Sequence, residues 1–107
     1  MSSSELSGKI AVVTGSSRGI GRGIAIGLGE LGATVYITGR SAGSGPLTIN
    51  ETAEMVNAAG GIGIPVEVDL AHDDQIEALY DKIRQSHGRL DIHVNNAFKI
   101  PNPPVWG

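Results

Sequence analysis

The sequence predicts an α/β fold: a doubly wound parallel sheet with helices on both faces. Three observations predict it. Short apolar runs alternate with segments of helical spacing along the chain, a glycine-rich turn follows the first run, and polar or charged residues stand where each run ends. A length of 107 residues makes this one domain at most, and a net charge of −3 argues against a nucleic-acid surface, which is normally basic. With no cysteine there is no disulfide frame, thiol nucleophile or thiolate metal site. No apolar run approaches the length of a membrane span, and the first residues lack a basic start and an apolar core, so a cytoplasmic protein is expected.

Residues 1–8 read as a polar lead-in, mobile up to Lys9. Ile10 to Val13 is continuously apolar, as a parallel strand buried on both faces requires. Thr14-Gly15-Ser16-Ser17-Arg18-Gly19-Ile20-Gly21 follows as a turn, after which Ile20, Ile24, Leu28 and Leu31 repeat as one helical stripe that ends at Gly32. Such a turn is a natural seat for an anion. The first N–H groups of a helix have no partners within it and carry the positive end of its dipole, while glycine lets the backbone turn sharply and approach a ligand. Gly27 and Gly29 inside the helix should each cost about 1 kcal/mol relative to alanine. Close packing of the helix on the sheet is the expected compensation.

Thr34 to Thr38 is a second strand by its β-branched and aromatic content, closing a strand–helix–strand unit. Beyond the loop Ser41 to Leu47, Thr48 and Glu51 have capping-box spacing, which predicts a second helix to Ala59 that stops at Gly60-Gly61. Asn50-Glu51-Thr52 matches a glycosylation sequon but reads as helix-start chemistry. Ile62 to Val68 suits a third strand ending at Asp69-Leu70. Ile76, Leu79, Tyr80 and Ile83 set a third helix from Asp73, stopped by Gly88. Leu90 to Val94 is a fourth strand opening into Asn95-Asn96-Ala97-Phe98. Prolines at 101, 103 and 104 exclude helix or central strand thereafter. The organisation is thus a lead-in at 1–8, a nucleotide-binding half-domain at 9–98 and a Pro-rich tail at 99–107.

Two constellations have plainer explanations than chemistry. Asp69, His72, Asp73 and Asp74 resemble a metal-ligand cluster, but acids at a helix start favour its dipole, so no metal is expected. His93, in an alternating strand, is expected to be packed or to face a covering helix.

The spacing of the turn is informative. Gly21 is followed by Arg22 and Gly23, not by the Lys and Ser or Thr of a Walker loop, and the glycines at 15, 19 and 21 do not form G-x-G-x-x-G. The pattern T-G-x-x-x-G-x-G resembles that of the short-chain dehydrogenase/reductase family, whose members carry it between the first strand and first helix of a Rossmann domain. The resemblance runs from Lys9 to about Phe98 and implies strand order 3-2-1-4. It also implies cofactor contacts at Gly15, Ser17, Arg18, Gly19, Ile20 and Gly21. The family's Asn-Asn-Ala-Gly at the end of strand four is matched by Asn95, Asn96 and Ala97, with Phe98 in place of Gly. Carried over, Asn95 braces the sheet, Asn96 and Ala97 touch the cofactor ribose, and Asp69 with Leu70 flanks the adenine. Tyr36-Ile37-Thr38-Gly39-Arg40, taken with Phe98, resembles one subgroup of the family most.

Arg40 carries the cofactor expectation. A free ribose 2′-hydroxyl is held by an acid about 20 residues beyond the glycine turn, whereas a 2′-phosphate needs a cation there. The chain reads Thr38-Gly39-Arg40-Ser41, and a guanidinium fork matches a phosphate in charge and geometry. Arg18 offers a second cation, as the equivalent position does in family members that prefer NADP, so NADP (NADPH) is the expected cofactor. Family chemistry is hydride transfer at a carbonyl or alcohol, with a Tyr moving the proton, a Lys four residues later lowering its pKa and a Ser orienting the oxygen. No Tyr-x-x-x-Lys exists here: Arg40 follows Tyr36 and Arg84 follows Tyr80 at that spacing.

The expected function is therefore the cofactor-binding part of an NADP-dependent oxidoreductase, inactive alone and read as a truncated product of a longer reductase. The alternative is a non-catalytic nucleotide-binding or partner-binding module. An unpaired edge on strand four would invite pairing with another chain in either case.

Overall fold

The computed structural model describes residues 5–15, 19–39, 48–69 and 72–95. Among them the order is β1 (Ile10–Thr14), α1 (Gly19–Glu30), β2 (Thr34–Gly39), α2 (Ile49–Ala59), β3 (Ile62–Glu67), α3 (Asp73–His87) and β4 (Ile92–Asn95). All four strands are parallel, in the order β3-β2-β1-β4. This is the doubly wound order expected.

Two cores follow from the period-two alternation of strand side chains. Ala11, Val13, Val35 and Ile37 project to one face, where they pack with Ala25 of α1 and with Ile49, Ala53 and Val56 of α2. Ile10, Val12 and Tyr36 project to the other, against Leu79 and Ile83 of α3. The continuous apolar runs of β1 and β2 thus serve both faces at once. The marginal strands differ: β4 alternates between partly buried and exposed positions, and β3 mixes the two without a fully buried residue. Pro65 lies in β3, opposite Ile37, where an outer strand tolerates a residue without an N–H.

α1 corrects the expected stripe at Ile20, while Ile24 and Leu28 pack against the core as expected. Ile20 is 75% exposed, Ile24 and Leu28 are only partly buried, and the buried positions are Gly21, Ala25 and Gly29, four residues apart. At Gly29 the helix lies too close to α2 for a side chain, while Ile24, Ile26 and Leu28 pack against the edge of the same core. A Cβ at Gly29 would stand 2.8 Å from Val56 Cγ1 and 3.2 Å from Val56 O, so its close packing is against α2, not the sheet. A Cβ at Gly27 would meet nothing within 4 Å, so close packing does not explain that glycine.

The helix ends follow the sequence closely. Thr48 caps α2, its Oγ1 accepting from the Glu51 N–H at 3.1 Å, and Gly60 at φ +115° ends it. The buried Thr52 hydroxyl donates to Thr48 O at 3.3 Å, as helix-start chemistry requires. α3 starts without a side-chain cap bond from His72; Asp73 and Asp74 in its first turn complement the dipole, and Gly88 closes it. At Leu6 the chain before β1 is docked, where the expectation is a lead-in mobile up to Lys9; residues 1–4 lie outside the described residues. The Leu6 N–H donates to Leu31 O at 2.9 Å and its side chain packs against the α1/α2 core. The Pro-rich tail lies outside the described residues.

Candidate functional site

The parallel register brings the carboxyl ends of the strands to one edge. Thr14 lies opposite Thr38 and Asn95, and Gly39 lies opposite Glu67. Along that edge stand Asp69 after β3, Gly39 ending β2, Gly15 after β1 and Asn95 ending β4. Hydrogen bonds hold the four ends together. The Val68 N–H donates to Gly39 O at 2.9 Å, and the Thr38 hydroxyl reaches Val13 O at 3.5 Å. The Thr14 hydroxyl lies 3.1 Å from Asn95 Oδ1 and 3.4 Å from Val94 O, so β1 and β4 are joined through side chains at their ends.

Gly15 at φ +65° and Gly19 at φ +67° bracket the turn, both in the left-handed region that a side chain resists. β1 ends at Thr14 and α1 begins at Gly19, so the first N–H groups of the helix follow the carboxyl end of the strand. The first turns of α2 and α3 carry Glu51, Asp73 and Asp74, while that of α1 carries no acid. An anion is the ligand that this uncomplemented helix start favours. Ile20 stands exposed beside it and Gly21 is buried against the fold.

Gly15, Gly19, Ile20, Gly21, Asp69 and Asn95 are therefore gathered on one edge. Ser17, Arg18, Arg40, Leu70, Asn96 and Ala97 lie outside the described residues. Two positioning contacts were not singled out in the sequence. Gln75 Oε1 accepts from the Asp69 N–H at 2.7 Å, tying the end of β3 to the first turn of α3. Arg22 reaches from α1 to the start of α2. Neither carries a local signal, since each partner belongs to another element or a turn.

The tyrosines sit away from this edge. Tyr36 is buried in mid-strand with its ring edge-on to His87. Tyr80 packs on the α3 face, its hydroxyl 3.1 Å from His93 Nε2, and burial raises its pKa. His93 thus faces the covering helix as expected, although it is exposed. Arg84, four residues beyond Tyr80, pairs with Asp81 at 2.7 Å. At the opposite end of the sheet, Asp91 Oδ2 accepts from the Ile10 N–H at 2.8 Å and from Arg89 Nε at 3.0 Å. The backbone bond first, then the Arg89 charge, holds that carboxyl below its ordinary range. This perturbed group belongs to the scaffold.

Residues 9–103 match the family model of the short chain dehydrogenases. Mouse dehydrogenase/reductase SDR family member 1 is 45% identical over 94 residues, covering 87% of this chain and 29% of that protein. Its subgroup is the one that the Tyr-Ile-Thr-Gly-Arg strand and Phe98 resemble. A metagenomic short-chain oxidoreductase solved in complex with NADP superposes with a TM-score of 0.82 at 44% identity, covering 90% of this chain and 42% of that one. An NADH-dependent reductase complexed with NAD does so with a TM-score of 0.77 at 28% identity, covering 91% and 39%. The chain spans well under half the length of each of these proteins, and their cofactors include both dinucleotides. Among the described residues no helix is long and apolar enough to cross a membrane.

Proposed function

The chain belongs to the short chain dehydrogenase family, and from that premise we propose that it is the cofactor-binding part of an NADP-dependent oxidoreductase. The observation that carries this reading is the acid-free start of α1, set between left-handed Gly15 and Gly19 at the carboxyl edge of a central strand. A dinucleotide pyrophosphate fits that seat in charge and in the backbone approach it needs. The bound dinucleotide supplies the hydride. This chain's residues bind and orient it, with Gly15 to Gly21 at the pyrophosphate, Asp69 and Leu70 beside the adenine, and Asn96 with Ala97 at a ribose. Asn95 holds the end of β4 through its contact with Thr14.

The choice of NADP over NAD rests on Arg40, which follows the last residue of β2 where a 2′-phosphate would lie, with Arg18 as a second cation. The test is titration of the chain with NADPH and with NADH, repeated on Arg40→Glu. Hydrogen bonds to charged groups contribute about 1.5–3 kcal/mol. Loss of that contact should therefore cut the preference for NADPH by about 10- to 100-fold. An unchanged ratio overturns the assignment.

With no Tyr-x-x-x-Lys in its 107 residues, the chain is expected to bind cofactor without turnover. Carbonyl reduction by the purified chain refutes this. A second reading, a binding module that adds a strand beside β4, draws on the marginal place of that strand and its partly buried Ile92 and Val94.

A further inference from the structure

One contact set beside the proposed pyrophosphate seat is taken up by neither a cofactor nor the cores. Arg22 follows Gly21 in the first turn of α1, and its side chain is 14% exposed. A cation placed there invites assignment as a phosphate ligand, but each of its guanidinium nitrogens is directed at α2. Nε donates to Thr52 Oγ1 at 2.9 Å, Nη1 to Glu51 Oε1 at 2.5 Å and Nη2 to Thr48 O at 3.3 Å. The three acceptors form the cap and first turn of α2. The fork therefore joins two helix starts that lie 26 to 30 residues apart in sequence.

We propose that Arg22 is a positioning residue for the adenosine end of the cofactor site. It fixes the start of α2, from Thr48 to Thr52, relative to the helix that seats the pyrophosphate. The inference rests on the proposed function only in taking the start of α1 as that seat. A nucleotide that reaches from the start of α1 toward the start of α2 spans both helix starts, so its affinity depends on their spacing; a ligand confined to the α1 turn does not. Lysine cannot replace the fork, because the guanidinium spreads its donors around the edge of one rigid plane over Nε, Nη1 and Nη2, whereas an ammonium offers all its donors from a single nitrogen on a flexible stem. The salt bridge also matters electrostatically. Glu51 is the acid nearest the start of α2, and Arg22 compensates its charge beside a site meant for phosphates.

The test uses the 107-residue chain and three probes followed by nuclear magnetic resonance: adenosine 5′-monophosphate, adenosine 2′,5′-bisphosphate and inorganic pyrophosphate. The variants are Arg22→Gln, Arg22→Lys, which keeps the charge, and Glu51→Gln. Dissociation constants are read from resonances of folded protein, with urea midpoints measured alongside. Both Arg22 variants should weaken the two adenosine nucleotides about fivefold or more, with pyrophosphate held within about twofold. Glu51→Gln should fall between.

A purely structural role would lower the urea midpoint and leave those constants in place, and that result overturns the proposal. Equal weakening of pyrophosphate overturns it too, since the fork would then act on the seat itself. So does an unaltered chain that adenosine 5′-monophosphate cannot saturate. If the unaltered chain binds both adenosine nucleotides equally, the 2′-phosphate reading falls, and the Arg22 comparison is still read through adenosine 5′-monophosphate.

Discussion

Two glycines in one helix should respond to the same substitution with opposite sign. Gly27→Ala adds a methyl that meets nothing within 4 Å, so the helix collects the ordinary preference for alanine, about 0.5–1 kcal/mol. Gly29→Ala collects the same preference but drives its methyl to 2.8 Å from Val56 Cγ1, 3.2 Å from Val56 O and 3.4 Å from Val56 Cα. Val56 is fully buried and β-branched, so it cannot rotate away cheaply, and two of the three contacts are backbone. Overpacking of this kind costs about 1–3 kcal/mol, which exceeds the gain. The net expectation is a loss of about 1 kcal/mol at Gly29 against a gain at Gly27, a difference of about 2 kcal/mol. Urea unfolding followed by circular dichroism should separate the two midpoints by about 1 M. The control is Val56→Ala: combined with Gly29→Ala, it should cost less than the two losses added, because the cavity accepts the new methyl. A Gly29→Ala midpoint at or above that of Gly27→Ala refutes the close approach of α1 and α2.

Thr48→Ala removes the oxygen that accepts from the Glu51 N–H, and should cost about 1 kcal/mol in the same urea assay. Thr14→Val keeps the shape of the side chain and severs its bonds to Asn95 and Val94. It should shift the Asn95 side-chain amide resonances and cost about 1 kcal/mol; unmoved resonances would contradict the link between the strand ends. Asp91 supplies a pH dependence of definite sign. Its folded pKa is lowered, so its contribution is present above the unfolded carboxylate value, about 3.9, and is lost as pH falls through the lower folded value. Asp91→Asn should therefore lower the urea midpoint at neutral pH and flatten its decline below about pH 4; an equally steep acid limb in the variant would show the group to be uncoupled from folding.

Much of this fold was legible because its signals are local. The stripe Ile76, Leu79, Tyr80, Ile83 and the stop at Gly88 needed one helix only, and α3 runs as they require. Thr48 and Glu51 announced a helix start three residues apart, and the cap bond is there. What escaped depends on distance across the fold. Counting apolar residues placed Ile20 on the inner stripe of α1 with Ile24 and Leu28, which do pack on the core. Ile20 is exposed, and the fully buried positions are the small residues Gly21, Ala25 and Gly29, the last set by the approach of α2. The Arg22 fork spans up to 30 residues and the Thr14–Asn95 contact spans 81, so neither leaves a mark in any local window. Strand order is a similar case: alternating strands and helices allow several doubly wound orders, and 3-2-1-4 came from the resemblance carried by the glycine turn.

A chain of net charge −3 that is proposed to hold a dinucleotide pyrophosphate faces a local problem, and local charge decides it. At physiological salt, screening confines such interactions to about 8 Å, so acids elsewhere on the surface matter little. Those at the carboxyl edge matter most. Among the described residues, two of the three helix starts carry acids, as helix starts generally favour, and the one beside the glycine turn does not. The adjacent acid, Glu51, is bound by Arg22. α1 thus leaves its own dipole uncomplemented for the ligand and spends its first cation on cancelling the neighbour's charge. A free Arg22 would add attraction to the seat but would leave Glu51 uncompensated and the start of α2 unanchored. The observed pairing therefore favours geometry over raw attraction. That choice suits a site that must recognise a whole dinucleotide and not merely collect phosphate.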